Sequence, residues 1–149
     1  MIFIGINNQI VELRITNYEF PEITDCEFDS NWLLIYLKVK SDFGNWQTIN
    51  PSLLNSDVQH IINWFEKIAN SEKVASNYLD FLEPNLVFEL KKLNSDNKLI
   101  RIIFDLESRP QNANDDIEYF VDVEFTNAEL RKVATDLKKE LKPFPIRAI

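Results

Sequence analysis

Residues 104–125, which read FDLESRPQNANDDIEYFVDVEF, decide the fold. Apolar and polar residues alternate at both ends of this stretch, and a polar loop separates the two runs. Such alternation around turn-forming residues is typical of two antiparallel β-strands. We therefore predict strands over residues 99–107 and 117–125 that pair with each other.

One apolar face is enough to suggest a register for this pair. The alignment that best buries the apolar side chains pairs Ile102 with Val123 and Phe104 with Val121. On the opposite face it pairs Arg101 with Glu124, Ile103 with Asp122, and Glu107 with Glu118. That face then carries five carboxylates, those of Asp105, Glu107, Glu118, Asp122 and Glu124.

The rest of the chain alternates between strand and helix patterns. The amino-terminal residues MIFIGINNQIVEL are interpreted as a first strand, and NSDN at 94–97 as a turn. Further strands are predicted at 11–16, 31–40, 46–49, 78–82 and 86–91, and the tail at 143–149 is expected to be extended and to pack back through Phe144. Short turns between neighbouring strands favour antiparallel pairing.

Two helices are predicted, at about 55–70 and 127–142. In the first, Val58, Ile61, Ile62, Phe65 and Ile68 form an apolar stripe at helical spacing, and Ser56 with Gln59 forms a capping-box pattern. In the second, Thr126 and Glu129 form a capping box, and Pro143 ends the helix. The predicted class is α+β: a mostly antiparallel sheet whose two halves are linked by the first helix and covered on one face by the second.

Composition excludes several classes of protein. The chain has 149 residues, which favours a single domain over 1–149. Its two glycines cannot form a phosphate-binding loop, and one cysteine cannot form an internal disulfide. The amino terminus lacks the features of a signal peptide, and no apolar run is long enough to span a membrane. We expect a soluble, cytoplasmic protein that has no membrane partner.

The net charge is −8, from 24 acidic and 16 basic residues. Direct binding of nucleic acid is therefore not expected, because it needs a basic face. A basic protein partner, such as a nuclease, would be attracted by this charge. Solubility alone also accounts for an acidic composition.

A catalytic or metal site would need acids that converge in a pocket, and these acids follow an open strand face. The single His60 lies off the apolar stripe of its helix, and Cys26 is expected to be buried or inert because no base is near it in sequence. We therefore predict no catalytic, cofactor-binding or metal-binding residues and no cofactor. The alternatives are a small enzyme or metal-binding protein that uses the acidic face, and a housekeeping interaction domain.

Four stretches in this order resemble the WapI-type immunity proteins of Gram-positive bacteria. They are DSNWLLIYLKVKSDFGNWQTINPSLL at 29–54, FLEPNLVFEL at 81–90, IIFDLESRP at 102–110 and KELKPFPIR at 139–147. The resemblance implies a protein made beside a large secreted or wall-associated toxin of the contact-dependent or polymorphic type. Such a protein binds the toxin's C-terminal domain, often a nuclease, and protects the producing cell. Some relatives have lost the toxin neighbour.

The resemblance supplies no catalytic residues, and its shared positions are interpreted as structural. Trp32 and Trp46 are expected to pack around the first hairpin, Gly44 to adopt a positive φ, and Arg109 to form a buried ion pair with Glu83 or Glu107. Partner contacts are instead expected from the acidic loop at 111–116 and the strand after it. The predicted partner-binding residues are Asp115, Asp116, Glu118, Asp122 and Glu124.

Overall fold

The eight strands of the computed structural model, which describes residues 1–94 and 96–148, form two separate antiparallel sheets. The first contains, in spatial order, β1 (Ile2–Ile4), β2 (Ile10–Tyr18), β3 (Trp32–Ser41) and β4 (Gly44–Leu54). The second contains β5 (Tyr78–Leu79), β6 (Leu86–Leu93), β7 (Asn97–Phe104) and β8 (Tyr119–Thr126). The α+β class is confirmed. The prediction of one sheet with two halves is wrong, because the strands form two separate sheets.

Several strand boundaries differ from the predicted ones. The amino-terminal stretch is split into two strands by a 3₁₀ turn at Ile6–Asn8, where Asn7 and Asn8 have φ values of 55° and 59°. The strand predicted at 78–82 has only two residues. Gly44 has the expected positive φ, 115°, in the turn between β3 and β4. The turn predicted at 94–97 includes Ser95, which lies outside the described residues.

Both predicted helices are present, as α1 (Asn55–Ala69) and α2 (Asn127–Leu141). The cap predicted for α1 is wrong. The N-cap residue is Leu54 instead of Ser56, and its backbone N–H donates to the Asp57 carboxylate at 2.9 Å. Burial raises the pKa of Asp57. The capping box of α2 is confirmed, with Thr126 and Glu129 exchanging two hydrogen bonds of 3.2 Å.

The core lies between the two sheets and α1. The predicted stripe of α1 is buried, and its Phe65 ring contacts Phe3 of β1, Phe88 of β6 and Phe125 of β8. The helix α2 packs beside α1, where Arg131 donates to the carbonyl of Ala69 at 3.2 Å. A single buried apolar cluster therefore draws side chains from both sheets and both helices.

The sheets also meet at a second place, around Trp46 of β4. Its indole ring packs edge-on against Phe104 of β7 and Tyr119 of β8, and its Nε1–H donates to the carbonyl of Ser108 at 2.9 Å. Trp46 thus joins the sheets, whereas the sequence placed it around its own hairpin. In the middle of β8, a Cβ at Gly5 would lie 2.9 Å from the carbonyl oxygen of Asp122, so only glycine fits there.

The register predicted for the last two strands is wrong by two residues. Ile102 pairs with Val121, Arg101 with Asp122, and Phe104 with Tyr119. A shift of two keeps every side chain on its predicted face, which explains why the apolar pattern did not detect it. β7 ends at Phe104, so Asp105 and Glu107 lie in the following loop instead of on the strand.

The carboxy-terminal tail is fastened to the irregular segment 19–31. The guanidinium of Arg147 donates to the carbonyls of Phe20, Pro21 and Ser30 at 2.9, 2.7 and 2.6 Å, and it stacks 3.6 Å from the centre of the Tyr18 ring. The predicted packing of Phe144 is confirmed, because its ring meets Tyr18 edge-on. We call this set of contacts the tail lock.

The core around Phe104 gives a first prediction. Phe104 is buried between the sheets, so Phe104→Ala should lower the free energy of unfolding by about 3–5 kcal/mol. Ile49→Ala removes an exposed apolar side chain and should change it by less than about 0.5 kcal/mol. Urea unfolding of the two variants beside the wild type measures both values. Equal midpoints would contradict the burial of Phe104.

The tail lock gives a second prediction. Arg147→Ala should lower the free energy of unfolding by about 2–4 kcal/mol, because three charge-assisted hydrogen bonds are lost. Arg147→Lys should recover only part of it, since an ammonium cannot reproduce the planar fork. Arg14→Ala is the control, because Arg14 is exposed and pairs with Glu12 alone among the described residues. Urea unfolding, with limited proteolysis of segment 19–31, measures the effect. An unchanged cleavage rate in Arg147→Ala would contradict the lock.

Candidate partner-binding surface

The loop between β7 and β8 gives the predicted acidic surface its shape. It starts with a 3₁₀ turn at Leu106–Ser108, and the Asp105 carboxylate accepts from the N–H of Leu106 at 2.8 Å. Leu106 has a φ of 49°, which turns the chain away from the sheet. Asp105 therefore caps this turn, and the acids at 115–118 follow the loop onto the edge of β8.

Asp122 is held by Arg101 in the centre of the sheet's outer face. The guanidinium donates two hydrogen bonds to the Asp122 carboxylate, at 2.8 and 2.9 Å, and it stacks 3.6 Å from the centre of the Phe120 ring. The hydrogen bond that Arg101 donates to Asp122 raises the pKa of the guanidinium. Asp122 is only 8% exposed, and its charge is offset within the fold by Arg101. Arg101 therefore pairs with Asp122 instead of with Glu124, the partner predicted for it.

Arg109 does not form the buried pair predicted with Glu83 or Glu107. Its guanidinium lies 2.8 Å from the Asp115 carboxylate and 3.8 Å from that of Asp105. The Glu107 carboxylate instead accepts from the side-chain amide of Asn85 at 3.1 Å. Arg109 therefore ties the two ends of the loop together and partly offsets the charge of Asp115.

The remaining predicted acids are less restrained. Glu118 is exposed and lies 3.6 Å from Arg101. Asp116 and Glu124 are also exposed, and neither takes part in an ion pair within residues 1–94 and 96–148. The structure thus gives this region, which we call the 115–124 surface, four exposed carboxylates beside one that is buried and paired.

Neither a thiol site nor a metal site is assembled from the residues considered. Cys26 is exposed, so of the two expected alternatives, buried or inert, the structure contradicts burial, and its N–H donates to the hydroxyl of Ser30. His60 is exposed on α1, as predicted. Within the described part of the chain, no group of three or more His, Cys, Asp and Glu side chains could hold a metal ion. In the same part, no helix has both the length and the apolar character needed to cross a bilayer.

The sequence of this chain matches one known protein family. The model of the immunity protein WapI-like family matches residues 1–145. The chain belongs to this family. No curated protein and no solved structure matches it. Membership in the WapI-like family confirms the resemblance seen in the four stretches, and it supports an immunity role and suggests a non-enzymatic one.

The segment before β3 carries a second acidic surface that the sequence pattern does not predict. Residues 19–29 contain five acids and no lysine or arginine: Glu19, Glu22, Asp25, Glu27 and Asp29. The segment has no strand or helix periodicity, so its spacing predicts no regular element. Its composition was nevertheless a visible signal, since it is more acidic than the 111–118 loop.

A metal titration gives the third prediction. If the acids of the 115–124 surface are only a solvated or partner-binding face, millimolar Mg²⁺, Ca²⁺ or Mn²⁺ should leave the melting temperature nearly unchanged. An ion bound at micromolar affinity would stabilise by roughly 4 kcal/mol at such an excess, by mass action. Differential scanning fluorimetry with and without EDTA measures this. A rise of several degrees that EDTA reverses would favour the metal-binding alternative.

Proposed function

We propose that this protein is a non-enzymatic, cytoplasmic immunity protein. It binds the C-terminal domain of a cognate secreted or wall-associated bacterial toxin and blocks its action in the producing cell. The observation that carries this proposal is the family match over residues 1–145. Because the match extends over both sheets and both helices, the proposal concerns the whole described fold.

The proposed toxin domain is basic, and the proposed activity is that of a nuclease. The net charge of −8 supports this choice, since a domain that binds phosphates carries a basic cleft. Opposite charges accelerate the encounter of two proteins, which matters for an inhibitor that must act before its target reaches nucleic acid. The inhibitor works by covering the cleft, so it needs no cofactor and binds the toxin domain with one-to-one stoichiometry.

The 115–124 surface is the first candidate for this contact. Asp115, Asp116, Glu118 and Glu124 are exposed there, and Asp122 acts from below by fixing Arg101. In this arrangement the exposed carboxylates meet toxin lysines and arginines that would otherwise bind phosphate. The pair of Asp122 and Arg101 keeps β8 in register and holds the surface in place.

The genetic context provides the broadest test. A large reading frame for a secreted protein should lie beside the gene of this chain, and its C-terminal domain should be toxic when expressed alone. Co-expression of this chain should restore growth, and a chain from an unrelated locus should not. Toxicity that this chain fails to relieve would contradict the immunity role.

The fourth prediction concerns association rate. Replacing Asp115, Asp116 and Glu118 by Lys should slow association with that toxin domain by about tenfold or more at low salt, and much less at high salt, because ions screen long-range attraction. The control replaces Glu72, Asp80 and Asp42 by Lys, which changes the net charge equally at other exposed positions. Stopped-flow measurements at two ionic strengths, with thermal melts alongside, compare the variants. Equal rates for both triple variants would remove the 115–124 surface from the contact.

A further inference from the structure

The tail lock borders a cavity that is lined by residues of segment 19–31, of the start of α1 and of the carboxy-terminal tail. The cavity has a volume of about 280 Å³, and Phe28, Leu54, Ile146 and Ala148 are among its lining residues. This volume lies just below the range of about 300–1,000 Å³ usual for small-molecule sites. The cavity can accept an apolar side chain of a partner.

Two apolar side chains at this cavity face solvent. Phe28 is 48% exposed and Ile146 is 54% exposed, although both belong to segments held by many hydrogen bonds. Exposed apolar groups beside a pocket are typical of the centre of a protein interface, where aromatic residues contribute most of the binding free energy.

The walls of the cavity are rigid because Asn31 connects them. Its side-chain amide donates to the carbonyls of Glu27 and Ala148, at 2.7 and 2.8 Å. Its side-chain oxygen accepts from the N–H of Arg147 at 2.9 Å and from the Asn55 amide at 3.1 Å. A partner would therefore meet a preformed site, and little conformational entropy would be lost on binding.

The segment that contributes Glu27 and Phe28 to the lining of the cavity is strongly acidic. Glu22, Asp25, Glu27 and Asp29 are exposed, and none of them forms an ion pair within the described residues. Burial, with the neighbouring charge of Asp29, raises the pKa of Glu19 at the start of the segment. The guanidinium of Arg147 also lies on this segment, but it donates to the carbonyls of Phe20, Pro21 and Ser30 and forms no ion pair with these carboxylates among the described residues.

We propose that the Phe28–Ile146 cavity is the anchoring contact for the toxin domain. It takes one apolar side chain from a basic protein surface, and the carboxylates of segment 19–29 contact lysines and arginines around that side chain. This inference rests on the proposed immunity function and adds a second surface to the one at 115–124. The apolar contact slows dissociation, whereas the charges accelerate association.

The charge argues against a second copy of this chain as the occupant. In a twofold dimer the same patch of each subunit lies at the interface. Four exposed carboxylates of one copy would then face the four of the other, with no lysine or arginine in residues 19–29 to offset them. Like charges brought together across an interface oppose association, so a basic partner fits this surface better.

The test uses the full chain and the C-terminal domain of the large secreted protein encoded beside its gene. The test variant carries Phe28→Ser and Ile146→Ser, and the matched control carries Ile49→Ser and Leu82→Ser, at positions that are 57% and 65% exposed. The test variant should bind about tenfold or more weakly, mostly through faster dissociation, while the control changes affinity by less than about twofold. Surface plasmon resonance measures both rates, and thermal melts verify folding.

Each outcome bears on a different part of the proposal. Wild-type binding with equal affinity for both double variants would overturn the anchoring cavity and leave the immunity function in place. No wild-type binding and no protection of cells would overturn the immunity function and the cavity with it. A wild-type dimer in sedimentation that Phe28→Ser and Ile146→Ser dissociate would assign the surface to a second copy and also overturn the proposal. If the double variant melts early, Ile146→Ser alone repeats the test, because Ile146 lies outside all strands and helices.

Discussion

The fold depends on the ring of Phe65, because this one side chain of α1 contacts both sheets. Its centroid lies 6.4 Å from that of Phe3 in the first sheet, and 5.9 and 5.7 Å from those of Phe88 and Phe125 in the second. The sheets share no strand, so packing between them, and not a continuous ladder of hydrogen bonds, sets their relative position. Edge-to-face ring packing is directional, and it fixes an orientation that aliphatic burial would leave looser.

The sequence correctly predicted which residues share a buried face, because apolar spacing determines that. It did not predict the strand register, which depends on the conformation of the loop. The buried stripe of α1 and the two faces of β7 and β8 follow from spacing, and all three are confirmed. The register of β7 and β8 does not follow from spacing, since pairing Ile102 with Val121 or with Val123 buries the same face. The choice depends on Leu106, whose positive φ ends β7 early, and a leucine gives no sequence signal for that conformation.

Only part of each candidate surface could be predicted from the sequence. Acidity is a property of composition, so the charge of 115–124 was visible, but the hydrogen bonds of Arg101 with Asp122 depend on the corrected register. The tail lock was less accessible still. Arg147 reaches carbonyls 117 and more residues earlier in the chain, and these acceptors are backbone groups that any residue carries. Contacts to backbone over such a separation leave no pattern in a single sequence.

Both candidate surfaces share one feature: hydrogen bonds to backbone carbonyls hold the backbone, and most exposed carboxylates contribute little to that support, Asp115 with its bond to Arg109 being the exception. Asn31 and Arg147 hold segment 19–31 through carbonyls, and the indole of Trp46 holds the loop after β7 through the carbonyl of Ser108. Substitution of an exposed acid on either segment leaves these bonds intact. The charge pattern can therefore change without loss of the fold, which is the property an inhibitor needs if it must follow changes in one particular partner.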